Sequence, residues 1–421
     1  WIDLSSEPPI HFLLAARGYG KDLSLETPMF TQNKGWVTMR DIEIGDFVFS
    51  WDGKPTKVIN KYHPEPRQLV EFTFSDNSKI ISSVEHDWVT FTRKERQYIS
   101  RHLDGNVPEN WVNWIGESKN RWNQIVDNCS SEKRTTQEII DSFRDNSTRS
   151  DLNHSIPVTQ PIQMDEQELP VDPYLYGYWI GDGTKAFGTF TCDPKDQSEL
   201  IEKIQNCGYE IGNNKRHKTI SALGLRTNLK KTCSSDTKKI DQRYTYNSIE
   251  NRLKFLQGLM DSDGYVSENS THVEFCTMTK EHAECVKFLA ASFGYKPIIR
   301  TGKAMFNGKN YGIKYRVFWK PNVKFNPFLL KRKAEKVKPD GNQKMRNYQR
   351  MIKNYEYVEY KPTACIEVDH EDHLFLAGES LIPTHNSYAG ASNVKRAVEK
   401  HGVKDILIIA VAARDFRATI A

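Results

Sequence analysis

The sequence predicts a multi-domain chain: an all-β body assembled from two separated arms, with an α+β module of two pseudo-symmetric halves between them. Three observations carry this expectation. Short β-runs punctuated by turn residues fill residues 27–91 and return at Tyr357–Leu376. Two segments ending in Gly-Asp-Gly and Ser-Asp-Gly recur at an interval of 81 residues. The length, 421 residues, leaves room for two to four domains at about 100–200 residues each.

Composition narrows the class. The chain carries 59 Lys plus Arg against 54 Asp plus Glu, a formal charge of +5, and is 38% hydrophobic, with a mean hydropathy of −0.65. No run approaches the roughly 18 apolar residues of a spanning helix, so a membrane partner is excluded and a monomer is expected. The opening residues WIDLSSEPPI lack a basic and then apolar leader, so no secretory signal is expected. Seven cysteines without C-x-x-C spacing argue against a disulfide framework and a structural zinc site. A reducing cytoplasm follows as the expected compartment.

Taken in order, residues 10–16 read as a buried strand ending in the glycine-rich turn Arg17-Gly18-Tyr19-Gly20-Lys21. A parallel-sheet protein would start a helix there; instead β-runs begin. GWVTM, DFVFS, TKVINKY, LVEFTF and KIISS alternate with turn pairs such as Asp52-Gly53 and Asp76-Asn77. Residues 101–165 read as a polar insert of unknown role, with Trp111, Trp114 and Trp122 and a helical stretch near Thr136–Phe143.

Residues 166–345 hold a charge of about +10, leaving about −5 on the other 241. The excess lies late, at Lys296, Arg300, Lys303, Lys309, Lys314, Arg316, Lys320, Lys324 and Lys331 to Lys333, interleaved with Tyr295, Tyr311, Tyr315, Phe318 and Trp319. A charge run alone is most often a solvated face. Basic strands with aromatics also suit a polyanion backbone.

The helix missing after Lys21 starts at Ser387. With residues 22–386 removed, the ends join as AARGYGK-SYAGASNVKRAV, which is strand, glycine loop, Lys, Ser and helix. That is a phosphate cradle. Gly18 and Gly20 let backbone N–H groups face phosphate, Lys21 reaches the terminal phosphates, and the Ser387 hydroxyl binds magnesium, so ATP is expected only on the joined chain. It departs from G-x-x-x-x-G-K-[ST] at Ala15. With ILIIAVA downstream, the flanks resemble P-loop ATPases of the phage terminase large-subunit or helicase type, which places the chain in the cytoplasm of a phage host cell.

The 365-residue insert ends Ile382-Pro383-Thr384-His385-Asn386 before Ser387. An Asn amide can attack its own backbone carbonyl, a neighbouring His can protonate the departing nitrogen, and a following Ser can hold an acyl ester and pass it to its own amine. No cofactor is needed. His-Asn-Ser alone is equally an ordinary turn.

These residues together resemble an intein. His385-Asn386-Ser387 resembles the C-terminal junction, Leu23-Ser24-Leu25-Glu26-Thr27-Pro28 the usual start, and Ser83-Val84-Glu85-His86 the T-x-x-H motif, whose His activates the upstream peptide. The insert begins with Asp22, which cannot perform an N-to-S acyl shift. The class 3 inteins lack the first nucleophile and carry a Trp, Cys and Thr triplet, which Trp88, Cys365 and Thr384 resemble. The resemblance implies a horseshoe-shaped Hint splicing fold. Cys365 would attack the Lys21–Asp22 bond, His86 polarise the amide, Trp88 and Thr384 pack around the thiol, and His373 assist Asn386.

Leu175–Gly183 and Leu256–Gly264 are each followed by a strand-like run and a helix ending in Gly-Tyr. Small residues let two such helices approach, bringing Asp182 and Asp263 together, and paired carboxylates with divalent cations hydrolyse phosphodiesters. The segments resemble the paired motifs of LAGLIDADG homing endonucleases. The resemblance implies a saddle over double-stranded DNA at the uninterrupted host-gene site, with Mg²⁺ at Asp182 and Asp263. Lys218 and Lys314 are guesses for a catalytic lysine.

The expected division is therefore 1–21 and 387–421 as host flanks, 22–100 and 346–386 as splicing arms, 101–165 as the insert and 166–345 as the endonuclease. Two other readings stay open: a DNA-binding protein with inert splicing arms and a degenerate nuclease, or an autoprocessing protease that cleaves without ligating.

Overall fold

The computed structural model describes residues 11–14, 21–64, 68–102, 133–385 and 406–409, apart from 147, 186, 214–217, 235–236, 269–270, 322–324, 338–344 and 371. Gly18, Gly20, Trp111, Trp114, Trp122, Asn386, Ser387 and the helix expected after it lie outside these residues.

The fold is multi-domain, an all-β body plus an α+β module of two similar halves. The two arms of the β body interleave in a ten-stranded sheet. Its order is Ser155–Pro157, Gln349–Val358, Leu69–Phe74, Lys79–Ser83, Leu23–Ser24, Thr363–Val368, Pro55–Tyr62, Phe47–Phe49, Pro28–Thr31 and Gly35–Thr38. Leu69–Phe74 shows why such runs make strands: Val70, Phe72 and Phe74 are buried while Glu71 and Thr73 between them are part-exposed. Those three join Leu23, Val48, Val58, Trp88, Ala364 and Ile366 in one core. The expected turns form. Gly53 has φ +84, and a Cβ there would lie 2.8 Å from the Pro161 carbonyl carbon, so only glycine suits that position.

The described residues 133–157 of the expected insert pair with this body. Lys133–Thr135 pairs with Asp87–Val89, and Ser155–Pro157 pairs with Gln349–Val358 on the sheet edge. The helix Thr136–Asp141 begins with a Thr135/Glu138 capping box and buries Ile139. Three-residue strands carry too little alternation to announce themselves in a sequence.

In the α+β module, the helices Pro173–Asp182 and Ile249–Asp263 pack side by side. Asp172 caps the first by accepting from the Tyr174 and Leu175 N–H groups, with Pro173 in the first turn, and Ser248 caps the second. Each half adds an antiparallel sheet. One holds Thr189–Thr191, Thr219–Leu223 and Glu210–Gly212; the other holds Gly264–Val266, Val273–Thr277, Lys309–Trp319 and Ile298–Phe306. The repeat helices Gln197–Asn206 and Lys280–Ser292 end before Gly208 and Gly294, both left-handed.

A separate cluster joins Phe30, Phe49, Leu376 and Leu381 of the β body to Phe288 and Ala291 of the module. In the flanks, His11–Leu14 pairs in parallel with Ile406–Ile409. No helix among the described residues is long and apolar enough to cross a membrane.

Candidate functional site

The chain enters the sheet at Leu23, which pairs with Ser82 on one side and Ala364 on the other. Ser83 N–H donates to the Asp22 carbonyl at 3.2 Å, extending the first ladder by one residue. The second ladder pairs Leu23 with Ala364 and Ser24 with Thr363, and its antiparallel register, continued one step past Leu23, points toward Cys365. Directly opposed residues lie about 4.5–5.5 Å apart at Cα and share a face of the sheet. On the other side of its strand Cys365 pairs with Tyr62. Cys365 is 2% exposed. Asp22 is wholly buried and neither carboxylate oxygen is hydrogen-bonded among the described residues, an arrangement the sequence did not reveal and one that burial disfavours without a charge partner.

His86 feels the Asp22 carboxylate. Its N–H closes a turn onto the Ser83 carbonyl, and its own carbonyl accepts from Thr136. The ring is fully buried, and Nε2 is hydrogen-bonded to Thr384 Oγ1. Burial pushes its pKa down to about 4, against the raising influence of Asp22, Asp87 and the Lys21 backbone carbonyl. At neutral pH the imidazole is therefore uncharged, with Nδ1 making no regular hydrogen bond among the described residues.

Trp88 and Thr384, expected around the thiol, both act on this ring. The Trp88 indole meets it edge-on at 4.7 Å between centroids, and its Nε1 donates to Thr136 Oγ1 at 2.9 Å. Phe72 and Phe74 hold the other side of the indole.

The C-terminal junction is reached through the strand Ile382–His385, paired with Leu374–Ala377 so that Thr384 faces Phe375 and His385 faces Leu374. His385 is 1% exposed and neither ring nitrogen is hydrogen-bonded among the described residues. Burial first, then Lys133 and Lys21, hold its pKa well below the ordinary imidazole value. His373 stands 6.3 Å away between ring centroids, in a left-handed backbone conformation, and burial lowers its pKa as well.

The second cluster lies at the ends of the two packed helices, where Asp182 and Asp263 are the last helical residues. Glycines set their approach. A Cβ on Gly181 would lie 2.7 Å from Asp263 Oδ2, and one on Gly258 would lie 2.6 Å from the Tyr178 backbone nitrogen. Burial and then Asp182 raise the Asp263 pKa to about 6; burial raises that of Asp182. Two such carboxylates fit a divalent cation, with waters and substrate phosphates filling the remaining positions. No group of three or more His, Cys, Asp or Glu side chains suited to a metal occurs among the described residues.

Lys238 and Lys333 are the amines that lower both acids. Lys238 Nζ donates to the Gly181 carbonyl at 2.9 Å. Lys333 Nζ donates to the carbonyls of Met260, Asp261 and Gly264 at 3.1, 2.7 and 2.9 Å. Sequence reasoning singled out neither for this role, although Lys333 ends a basic run. Lys218 stands before the strand Thr219–Leu223, and Lys314 lines a cleft of about 440 Å³ with Asp263, Cys276 and Tyr311. The hairpin Ile298–Phe306/Lys309–Trp319 exposes Met305, Phe306 and Tyr311, which line this cleft, and Ile313. Arg300 and Arg316 lie over the Phe318 ring at 5.4 and 4.7 Å.

Comparison with known proteins adds to this geometry. Residues 250–319 match the family of LAGLIDADG-like domains. The chain is 30% identical over 401 residues to the replicative DNA helicase DnaB of Mycobacterium intracellulare, across 94% of this chain and 64% of that protein. It is 27% identical over 225 residues to the ATP-dependent DNA helicase Hel308 of Methanocaldococcus jannaschii, across 46% of this chain and 18% of that one. The chain thus spans less than two thirds of these relatives. Among solved structures, the MchDnaB-1 intein is similar at 12% identity and a TM-score of 0.27, covering 87% of this chain and 99% of its own.

Proposed function

We propose that this chain splices itself, excising residues 22–386 and joining Lys21 to Ser387, and that the module at 166–345 is a nested endonuclease for double-stranded DNA. One observation supports the first part: Leu23 pairs with Ala364, the neighbour of Cys365, in a register that runs on toward Asp22, while His86 lies against the Lys21 backbone. On this reading a thiol and an imidazole bracket one peptide bond.

The Cys365 thiolate attacks the Lys21 carbonyl carbon, the Lys21–Asp22 C–N bond breaks, and the Asp22 nitrogen leaves as an amine after taking a proton. The product is a thioester branch carrying residues 1–21. Ser387 Oγ then takes the acyl group, Asn386 cyclises and releases residue 387, and the ester passes to the freed amine.

A hydroxyl donating to Nε2 leaves the His86 proton on Nδ1, facing the Lys21 carbonyl, where it can stabilise the developing oxyanion. Thr384 on this reading sets the tautomer, and Trp88 fixes the ring plane. His385, kept neutral, can protonate the nitrogen released beyond Asn386.

In the module, Asp182 and Asp263 would hold Mg²⁺, which when bound supplies Lewis-acid stabilisation to phosphodiester hydrolysis. Lys238 and Lys333 hold protons beside the acids, and the basic hairpin tracks the phosphate backbone. The match to a DnaB helicase over 94% of the chain necessarily takes in part of the flanks. That favours a helicase-type host ATPase over a terminase, with Lys21 and Ser387 brought together only by ligation.

Expression of the intact chain tests the first reading. A 365-residue fragment plus a joined 56-residue peptide is expected; separated flanks with no joined peptide would favour a protease, and a stable precursor would favour inert arms.

A further inference from the structure

We propose that Asp87 reads the side chain immediately before the scissile bond, so that the insert is adapted to a flank ending in a cation. This inference rests on the splicing reading above. Lys21 Nζ lies 2.6 Å from Asp87 Oδ2, with the two side chains only 13% and 15% exposed. An ion pair this shielded is far less screened than a surface pair, and removing one partner leaves the other charge stranded.

Asp87 directly follows His86, and the two neighbours grip the two parts of Lys21. The carboxylate takes the side chain while the imidazole meets the backbone carbonyl. Holding the amine in place therefore fixes the carbonyl that the thiol must reach, which makes Asp87 a positioning residue. The strand Asp87–Val89 is itself pinned by Lys133–Thr135 on one side.

The surrounding charges decide how strict the reading is. Burial and then Lys21 lower the Lys133 pKa, with Asp87 opposing them, so Lys133 is a second amine in the field of the same carboxylate. Lys21 and Lys133 also both lower the pKa of His385, and His86 feels Asp87. With residue 21 neutral, Lys133 remains to partner Asp87, so a small neutral side chain loses only the positioning. With residue 21 acidic, two carboxylates meet in a shielded space. The expected order at position 21 is Lys, then Arg, then Ala, with Glu far behind.

The test measures the rate at which residues 1–21 are released from the full chain carrying Lys, Arg, Ala or Glu at position 21, each with Asp87, Asp87→Asn or Asp87→Lys. With Asp87, Lys21→Glu is expected to slow release at least tenfold. With Asp87→Lys, the order is expected to reverse, with Lys21→Glu restoring the rate. Substitutions at residue 21 alter the flank and leave the insert intact, so they remain informative even if an Asp87 variant folds poorly. Equal rates for Lys and Glu opposite Asp87, or the same order opposite Asp87→Lys, would overturn the inference. Release that persists with Cys365→Ala would instead sink the splicing reading beneath it.

Discussion

Replacing Thr384 by valine keeps the volume and removes one hydroxyl. In the folded chain that hydroxyl is bonded to Nε2 of a fully buried His86 whose Nδ1 has no regular hydrogen bond among the described residues. Thr384→Val therefore leaves a buried imidazole nitrogen unpaired, a loss of about 1–3 kcal/mol. If about 2 kcal/mol of this falls on the transition state for attack at Lys21, the first cleavage slows about 30-fold. The assay is a time course of precursor loss for wild type, Thr384→Val and Thr384→Ser, with thermal melting to separate stability from rate. Serine restores the hydroxyl and should recover most of the rate. A valine variant as fast as wild type, or a serine variant as slow as valine, would refute the assignment of Thr384 to the imidazole.

Other expectations follow from the same geometry. His86 and His154 are both held at about 4 by burial, below the ordinary 6.5, so the unfolded chain binds more protons between those values. Their contribution, on the order of 3 kcal/mol each, is complete above about pH 6.5 and is lost as pH falls through 4; melting temperatures from pH 7.5 to 4.5 should drop accordingly, and a flat profile would contradict it. Asp263, raised to about 6, has the opposite sign. Its neutral form favours the fold below about pH 4, and that advantage fades as pH climbs through 6, so Mg²⁺ should raise the melting temperature more at pH 8 than at pH 5, and Asp263→Asn should abolish the difference. Gly181→Ala forces a methyl against Ser262 and Asp263, which should lower DNA cleavage at least tenfold while leaving self-excision intact; equal loss of both activities would argue against separate sites.

Much of this architecture was legible because the forces that shape it are local. Alternation in LVEFTF wrote a half-buried strand, the Asp52-Gly53 pair wrote a turn, and the 81-residue repeat wrote two glycine-faced helices with acids at their ends. The part of the late basic run from Arg300 to Arg316 lies on one long hairpin. The rest depends on partners distant in sequence. Lys133–Thr135 becomes a strand only because Asp87–Val89 offers it a ladder. Thr384 finds His86 across 298 residues, and the Lys21–Asp87 pair exists only once the first strand enters between two others. Lys238 comes from a turn and Lys333 from the four-residue helix Lys331–Ala334, too short to carry a periodic signal.

The central claim is that residue 365 carries an acyl branch, and a blocked precursor tests it most directly. In the chain with Asn386→Ala and Ser387→Ala, the branch should accumulate, and hydroxylamine should release residues 1–21 as a C-terminal hydroxamate visible by mass spectrometry. The same treatment of that chain with Cys365→Ala should release nothing. Equal release from both would contradict the account.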